Sequence, residues 1–184
     1  MDFPVKEITL KDGRTCVLRP PTKKDAAAMI EYLKATVGET PYLVSYPDEI
    51  GFTVSEEKKF LTERIEDPSA VMVIAEVDGK LAGNGGFAGA GGRRQLRHRC
   101  ELGIALYREF HRLGIGTALI GYLTELARQA GYEQMGLEVF EDNAAALALY
   151  KKCGFIESGR LHHAVKLDDG NYRDYILMYK PLME

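Results

Sequence analysis

Cysteine is scarce in this chain of 184 residues, with Cys16, Cys100 and Cys153 widely spaced and odd in number. That argues against a disulfide framework and against the paired spacing of a zinc site, so three reduced thiols packed as small apolar groups are expected. An excess of one charge is missing too. With 24 basic and 27 acidic residues the net charge is −3, too weak a field to draw the molecule onto nucleic acid or anionic lipid, so neither is expected as a partner. No apolar run is long enough to span a bilayer, and the N-terminal stretch holding Lys6 and Glu7 lacks a secretory core, so a cytoplasmic location is expected. Repeats and low-complexity linkers are absent, and the length suits one domain, 1–184, with one core. The longer dinucleotide fingerprint and the P-loop lysine are absent as well, which removes two common nucleotide sites.

What is present is an ordinary globular composition, 46% apolar and 28% charged, with clear punctuation. Asp12-Gly13, Asp78-Gly79 and Asp169-Gly170 each lie between apolar or β-branched segments, which predicts three tight hairpins pairing 5–10 with 15–19, 71–77 with 81–88 and 161–167 with 172–179. Further strands are expected at 101–106 and just before residue 140. Helices are expected over 26–35 behind Thr22 and Asp25, over 60–65 behind the Thr53/Glu56 capping box, over 114–130 and over 144–152. In the third, Leu119, Leu123, Leu126 and Ala130 recur at spacings of three and four, and Gly131 stops it. The sum is one α+β domain, a mixed, mostly antiparallel central sheet of six to seven strands flanked by about four helices. Residues 37–52, with Gly38, Pro41, Pro47 and Gly51, predict a long loop and a candidate substrate wall.

Two segments carry chemistry. His111-Arg112-Leu113-Gly114-Ile115-Gly116-Thr117 lies between a predicted strand and the third helix, where unpaired N–H groups and the positive end of the helix dipole meet glycines that let a phosphate approach the backbone. Alone, such a turn equally suits a tight connection. Downstream, Asn143 stands near the start of the fourth helix and Tyr150 returns to the same face about two turns later, so one side chain can position a group while the other donates a proton. The remaining signals point to packing or solvation. Arg93, Arg94, Arg97, His98 and Arg99 form a solvated hairpin tip, Gly83, Gly85, Gly86 and Gly89 sit in a strand rather than before a helix, and adjacent His162 and His163 point to opposite faces. No metal is implied.

Together the two segments resemble the core of the GNAT superfamily of N-acetyltransferases. The family's R-G-x-G-I-G turn corresponds to His111 through Gly116, and its N-x-x-A-x-x-L-Y-x-x-x-G-F pattern is met by Asn143, Ala146, Leu149, Tyr150, Gly154 and Phe155. The departures are His111 and Arg112, where the family usually has a basic or amide residue and then glycine. The resemblance implies the three-layer GNAT fold and an acyltransferase using acetyl-coenzyme A. In that reading Ile104, Ala105 and Leu106 pair with the pantetheine arm, and the amides of His111, Arg112, Leu113, Gly114, Ile115, Gly116 and Thr117 bind the pyrophosphate. Asn143 contacts cofactor or substrate, and Tyr150 protonates the departing thiolate. Glu101 and Glu138 are the candidate bases; Glu138 matches a position used by ribosomal N-terminal acetyltransferases. The acceptor is a primary amine, with a small molecule slightly favoured over a protein N-terminus, and a homodimer is a further expectation because many relatives dimerise. A non-catalytic acyl-coenzyme A sensor is the rival from another class.

Overall fold

A computed structural model describes residues 3–183. Its centre is one sheet in the order β1-β2-β3-β4-β5-β6-β8-β7, built from β1 (Lys6–Thr9), β2 (Thr15–Arg19), β3 (Ala70–Val77), β4 (Lys80–Gly89), β5 (Arg99–Leu106), β6 (Gln134–Phe140), β7 (Ile156–Lys166) and β8 (Tyr172–Pro181). Among the described residues there are therefore eight strands, one more than the upper expectation. All three Asp-Gly hairpins form. Asp78 (φ 52°) and Gly79 (φ 75°) both take positive φ, which a two-residue type I′ turn requires, and Gly13 and Gly170 also take positive φ in their turns.

The helices are α1 (Ala26–Glu39), α2 (Val54–Glu66), α3 (Ile115–Gln129) and α4 (Ala144–Lys152). Thr53 and Glu56 cap α2 reciprocally, and Gly131 (φ 83°) and Gly154 (φ 87°) close α3 and α4 in left-handed conformation. Helix α1 runs four residues past the expected end because Thr36 and Val37 are buried and extend its apolar face, so the irregular segment begins at residue 40. One face of the sheet packs on α3, whose Ile115, Leu119, Ile120, Leu123 and Leu126 sit in a core with Cys100, Leu102, Met135 and Leu137. Against the other face, Met29 and Tyr32 of α1 pack on Ile74 of β3. Cys16 and Cys100 are buried thiols, as expected, and Cys153 is half-buried.

One pairing sets up everything that follows. All neighbouring strands run antiparallel except β5 and β6, which are parallel and register only at Arg99–Gln134, Cys100–Met135 and Glu101–Gly136. Beyond Glu101 the two strands part. Residues 102–106 keep their partners on β4 but have none on the β6 side, so one backbone edge of β5 is open.

Candidate active site

The open edge of β5 leads, through a short turn at Arg108–Phe110, into the start of α3. Gly114 precedes α3 at φ 100°, a left-handed conformation that favours glycine, and a Cβ added there would meet nothing within 4 Å. Space above it is open. Ala118 donates the first helical bond, to the Gly114 carbonyl, and the preceding amides of Arg112, Leu113, Gly114, Ile115, Gly116 and Thr117 find no backbone acceptor among the described residues. Six consecutive unpaired N–H groups at the positive end of a fifteen-residue helix form an anion cradle. His111 contributes differently: its own amide is engaged by Arg108, and its Nε2 lies 3.2 Å from the Leu106 carbonyl. Arg112 takes φ 63°, the conformation that explains why the family's motif has glycine there.

Gly116 has a second reason to be glycine. A Cβ at this position would stand 3.1 Å from Leu149 Cδ2, so the start of α3 packs directly on α4 and brings the Asn143–Tyr150 segment to the cradle. Asn143 caps α4, its Oδ1 accepting from the Ala146 amide at 3.1 Å; that oxygen is committed and only its NH2 is free. Tyr150 is 8% exposed, stands edge-on to Phe155 with ring centroids 5.7 Å apart, and its phenol is pushed up to about 12 by burial.

On the α1/α2 face of the sheet lies a cavity of about 270 Å³ lined by Leu43, Met72, Gly86, Glu101, Gly103 and Arg64 among others. Strand alternation puts Glu101, Gly103 and Ala105 on this face. Gly103 is the cavity floor, since a Cβ built there would meet nothing within 4 Å. The Glu101 carboxylate lies over Gly136, where a Cβ would be 2.5 Å from its Oε2, and it pairs with Arg99 at 3.3 Å. Burial raises the Glu101 carboxyl above the ordinary carboxylate value; Arg99 opposes that shift and Glu138 adds to it. Glu138 is exposed, on the same face of β6 as Gly136. The structure thus gathers both carboxylates at the point where the strands part.

The irregular segment after α1 closes over this region. Tyr42 donates to the Asp142 carbonyl at 3.1 Å, Asp168 N donates to the Tyr46 hydroxyl at 3.1 Å, and the Arg173 guanidinium sits 3.9 Å from the Phe140 ring centroid while bonding Pro41 and Asp142. The long loop expected over this stretch is present, and its Leu43 lines the cavity. Sequence reasoning missed Arg64 and Gly103 as cavity lining, whereas Leu43 falls in the long loop it singled out. Arg64 ends an amphipathic helix, where a cation is unremarkable, and Gly103 lies inside a strand pattern. The only prior signal was a strand glycine beside a glutamate two residues away.

The sequence profile described as the Acetyltransferase (GNAT) family matches residues 38–155, well over half of the chain. The chain belongs to the GNAT family. It is an acetyl-coenzyme A-dependent N-acetyltransferase. An N-alpha-acetyltransferase of Sulfurisphaera tokodaii is 34% identical over 134 residues, covering 67% of this GNAT chain and 76% of that protein. A [Ribosomal protein bS18]-alanine N-acetyltransferase of Escherichia coli is 35% identical over 79 residues, 43% of this chain and 53% of its own length. A mycothiol acetyltransferase of Clavibacter sepedonicus is matched over only 35% of its length, at 29% identity over 60% of this chain. Among solved structures, a GNAT acetyltransferase from Streptococcus pneumoniae superimposes with TM-score 0.84 at 28% identity, over 90% of this chain and 99% of that one. A phosphinothricin acetyltransferase from Sinorhizobium meliloti in complex with acetyl-coenzyme A has the same fold, with TM-score 0.78 at 20% identity over 95% and 89%. No described helix is long and apolar enough to cross a membrane.

Proposed function

We propose that this chain works as one acetyltransferase domain that moves the acetyl group directly to the primary amine of a small molecule. The observation that carries the reading is the break in pairing after Glu101 and Gly136. It joins the amide cradle before α3 to the cavity holding Glu101, with Tyr150 brought up by α4.

In this reading the unpaired amides of Arg112 through Thr117 hold the diphosphate, and the open edge at Ile104, Ala105 and Leu106 holds the pantetheine arm as an added strand would be held. His111 keeps the turn in place through the Leu106 carbonyl. The acceptor nitrogen attacks the thioester carbon, forming C–N, and the amides near Ile104 stabilise the charge on oxygen. Glu101, better placed than Glu138, takes the amine proton directly or through water; Glu138 raises its basicity across the gap. As C–S breaks, the sulfur takes a proton from the Tyr150 phenol, which its high pKa keeps loaded at neutral pH, and solvent restores it. Asn143 acts by fixing the start of α4, leaving its amide NH2 for the cofactor or acceptor.

A protein N-terminus is the second reading, favoured by the names of the Sulfurisphaera and Escherichia relatives. Two measurements test the proposal: calorimetric titration with acetyl-coenzyme A, and thiol release in the presence of a panel of amines. Saturable binding with amine-dependent release is expected. Binding without release from any amine would make the chain a sensor, and no binding would overturn the assignment of the cradle.

A further inference from the structure

Resting on that reading of the cavity as the acceptor site, the charge distribution on its wall narrows the substrate class. Among the described residues lining the 270 Å³ cavity, Glu101 and Arg64 are the only ionisable ones, and Leu43 and Met72 supply apolar side chains. Glu101 stands where the strands part and is assigned above to the amine. Arg64, in the last turn of α2, is half-buried. Unlike Arg19, held by Asp25 and Glu76, or Arg173, held by Asp142, Arg64 forms no ion pair among the described residues. Its guanidinium carbon stands 5.8 Å from the Phe60 ring centroid, and its charge helps lower the pKa of Asp67, which caps α2 three residues on, without forming an ion pair with it.

A planar guanidinium on a cavity wall is weakly hydrated and presents paired N–H groups that match a carboxylate in two parallel bonds. Of the three sheet positions in register across this floor, only Met72 carries a side chain. Met72, Gly86 and Gly103 lie in register across β3, β4 and β5, and Gly103 leaves the space above it free. The cavity is smaller than the ~300–1,000 Å³ typical of sites for drug-sized ligands. We infer that the acceptor is a compact amine that also carries a carboxylate, of the free amino-acid class with an apolar side chain. Arg64 binds the carboxylate and Glu101 the amine. A peptide N-terminus offers a neutral amide at that point and cannot form that paired contact.

The test compares leucine, leucinamide and a leucyl dipeptide as acceptors, and phenylalanine with phenylalaninamide, as kcat/KM expressed per free amine. The expected result is a preference of tenfold or more for the free acids. That preference disappears in Arg64→Gln, chiefly through KM, and survives in part in Arg64→Lys, with acetyl-coenzyme A affinity unchanged as the control for folding. Equal or better turnover of the carboxamide or dipeptide would overturn the inference, as would an undiminished preference in Arg64→Gln. Thiol release with simple alkylamines but not with the free amino acids would overturn the carboxylate alone. Absence of release with every amine would instead remove the transfer reading beneath it.

Discussion

Changing Arg99 to glutamine should move the acidic limb of the kcat/KM profile to higher pH, because Arg99 opposes the burial that raises the Glu101 carboxyl. The base must be ionised to work, so activity rises with pH through the Glu101 pKa. The ion pair is 3.3 Å long, with side chains 39% and 45% exposed, so its strength is that of a screened surface pair, about 0.2–1 kcal/mol. At 1.36 kcal/mol per unit this is a shift of about 0.2–0.7 pH units. Below the limb, the variant should be slower by up to about fivefold; above it, the two enzymes should agree. Glu138→Gln should move the limb the other way, since the Glu138 charge raises the same carboxyl. Loss of the thioester, followed with one acceptor whose amine pKa is common to all enzymes, isolates the difference. Raised salt should draw the wild-type limb toward that of Arg99→Gln. An unmoved limb in both variants, or shifts of the same sign, would refute Glu101 as the group that titrates.

Tyr150→Phe should lower kcat by about 10²- to 10⁴-fold while acetyl-coenzyme A affinity stays within a small factor, measured by steady-state rates and titration. Arg112→Gly should stabilise the fold, because residue 112 sits at φ 63° where a side chain costs about 1 kcal/mol; thermal melting should rise by about 2–4 °C without loss of acetyl-coenzyme A binding. Arg173→Ala removes the clamp on Pro41 and Asp142 and should raise acceptor KM more than acetyl-coenzyme A Kd. Glu57, 4% exposed, has a buried Oε1 with no partner, and burial raises its pKa. The folded state therefore holds its proton more tightly than the unfolded one, and stability falls as pH rises from the unfolded value through the folded one. Glu57→Gln should raise the melting temperature at pH 8, by an amount worth about 1–3 kcal/mol at most, and the gain should vanish near pH 4.

Local signals in the sequence were legible wherever a single residue type solves a backbone problem. The Asp-Gly hairpins, the Thr53/Glu56 cap and the glycine stops after α3 and α4 were each visible before the structure, since positive φ and unpaired helix amides have few solutions. The cradle and the Asn143–Tyr150 segment were legible by the same logic, reinforced by the match to the family pattern. Arg64 and Gly103 were not. They lie 39 positions apart and meet only because β3, β4 and β5 pair side by side. Tertiary pairing makes a cavity wall from residues that look ordinary one at a time.

The parallel pair explains why the sheet opens where the proposed site lies. A continuous antiparallel sheet would seal its two faces from each other, because every backbone group between strands would be consumed in the ladder. Here β5 must reach β6 through α3, and a strand-helix-strand crossover yields a parallel neighbour. That neighbour stays paired for only three residues, and Phe140 at the far end of β6 is held instead by Tyr175 and Arg173 from β8. The gap so created has a helix N-terminus at one side and the α1/α2 cavity at the other. In the proposed reading it lets a thioester presented along the open edge of β5 meet an amine arriving from the opposite face. Extending the β5–β6 ladder by even one pair would narrow that passage, and the Glu101 side chain lying over Gly136 keeps bulk at the point where the ladder ends. Gly136→Ala, which would press a methyl against the Glu101 carboxylate, should therefore impair transfer by displacing the base while leaving acetyl-coenzyme A binding on the amides of residues 112–117 intact. A loss of both together, measured by titration and thiol release, would mean that the two halves of the site are not separable in this way.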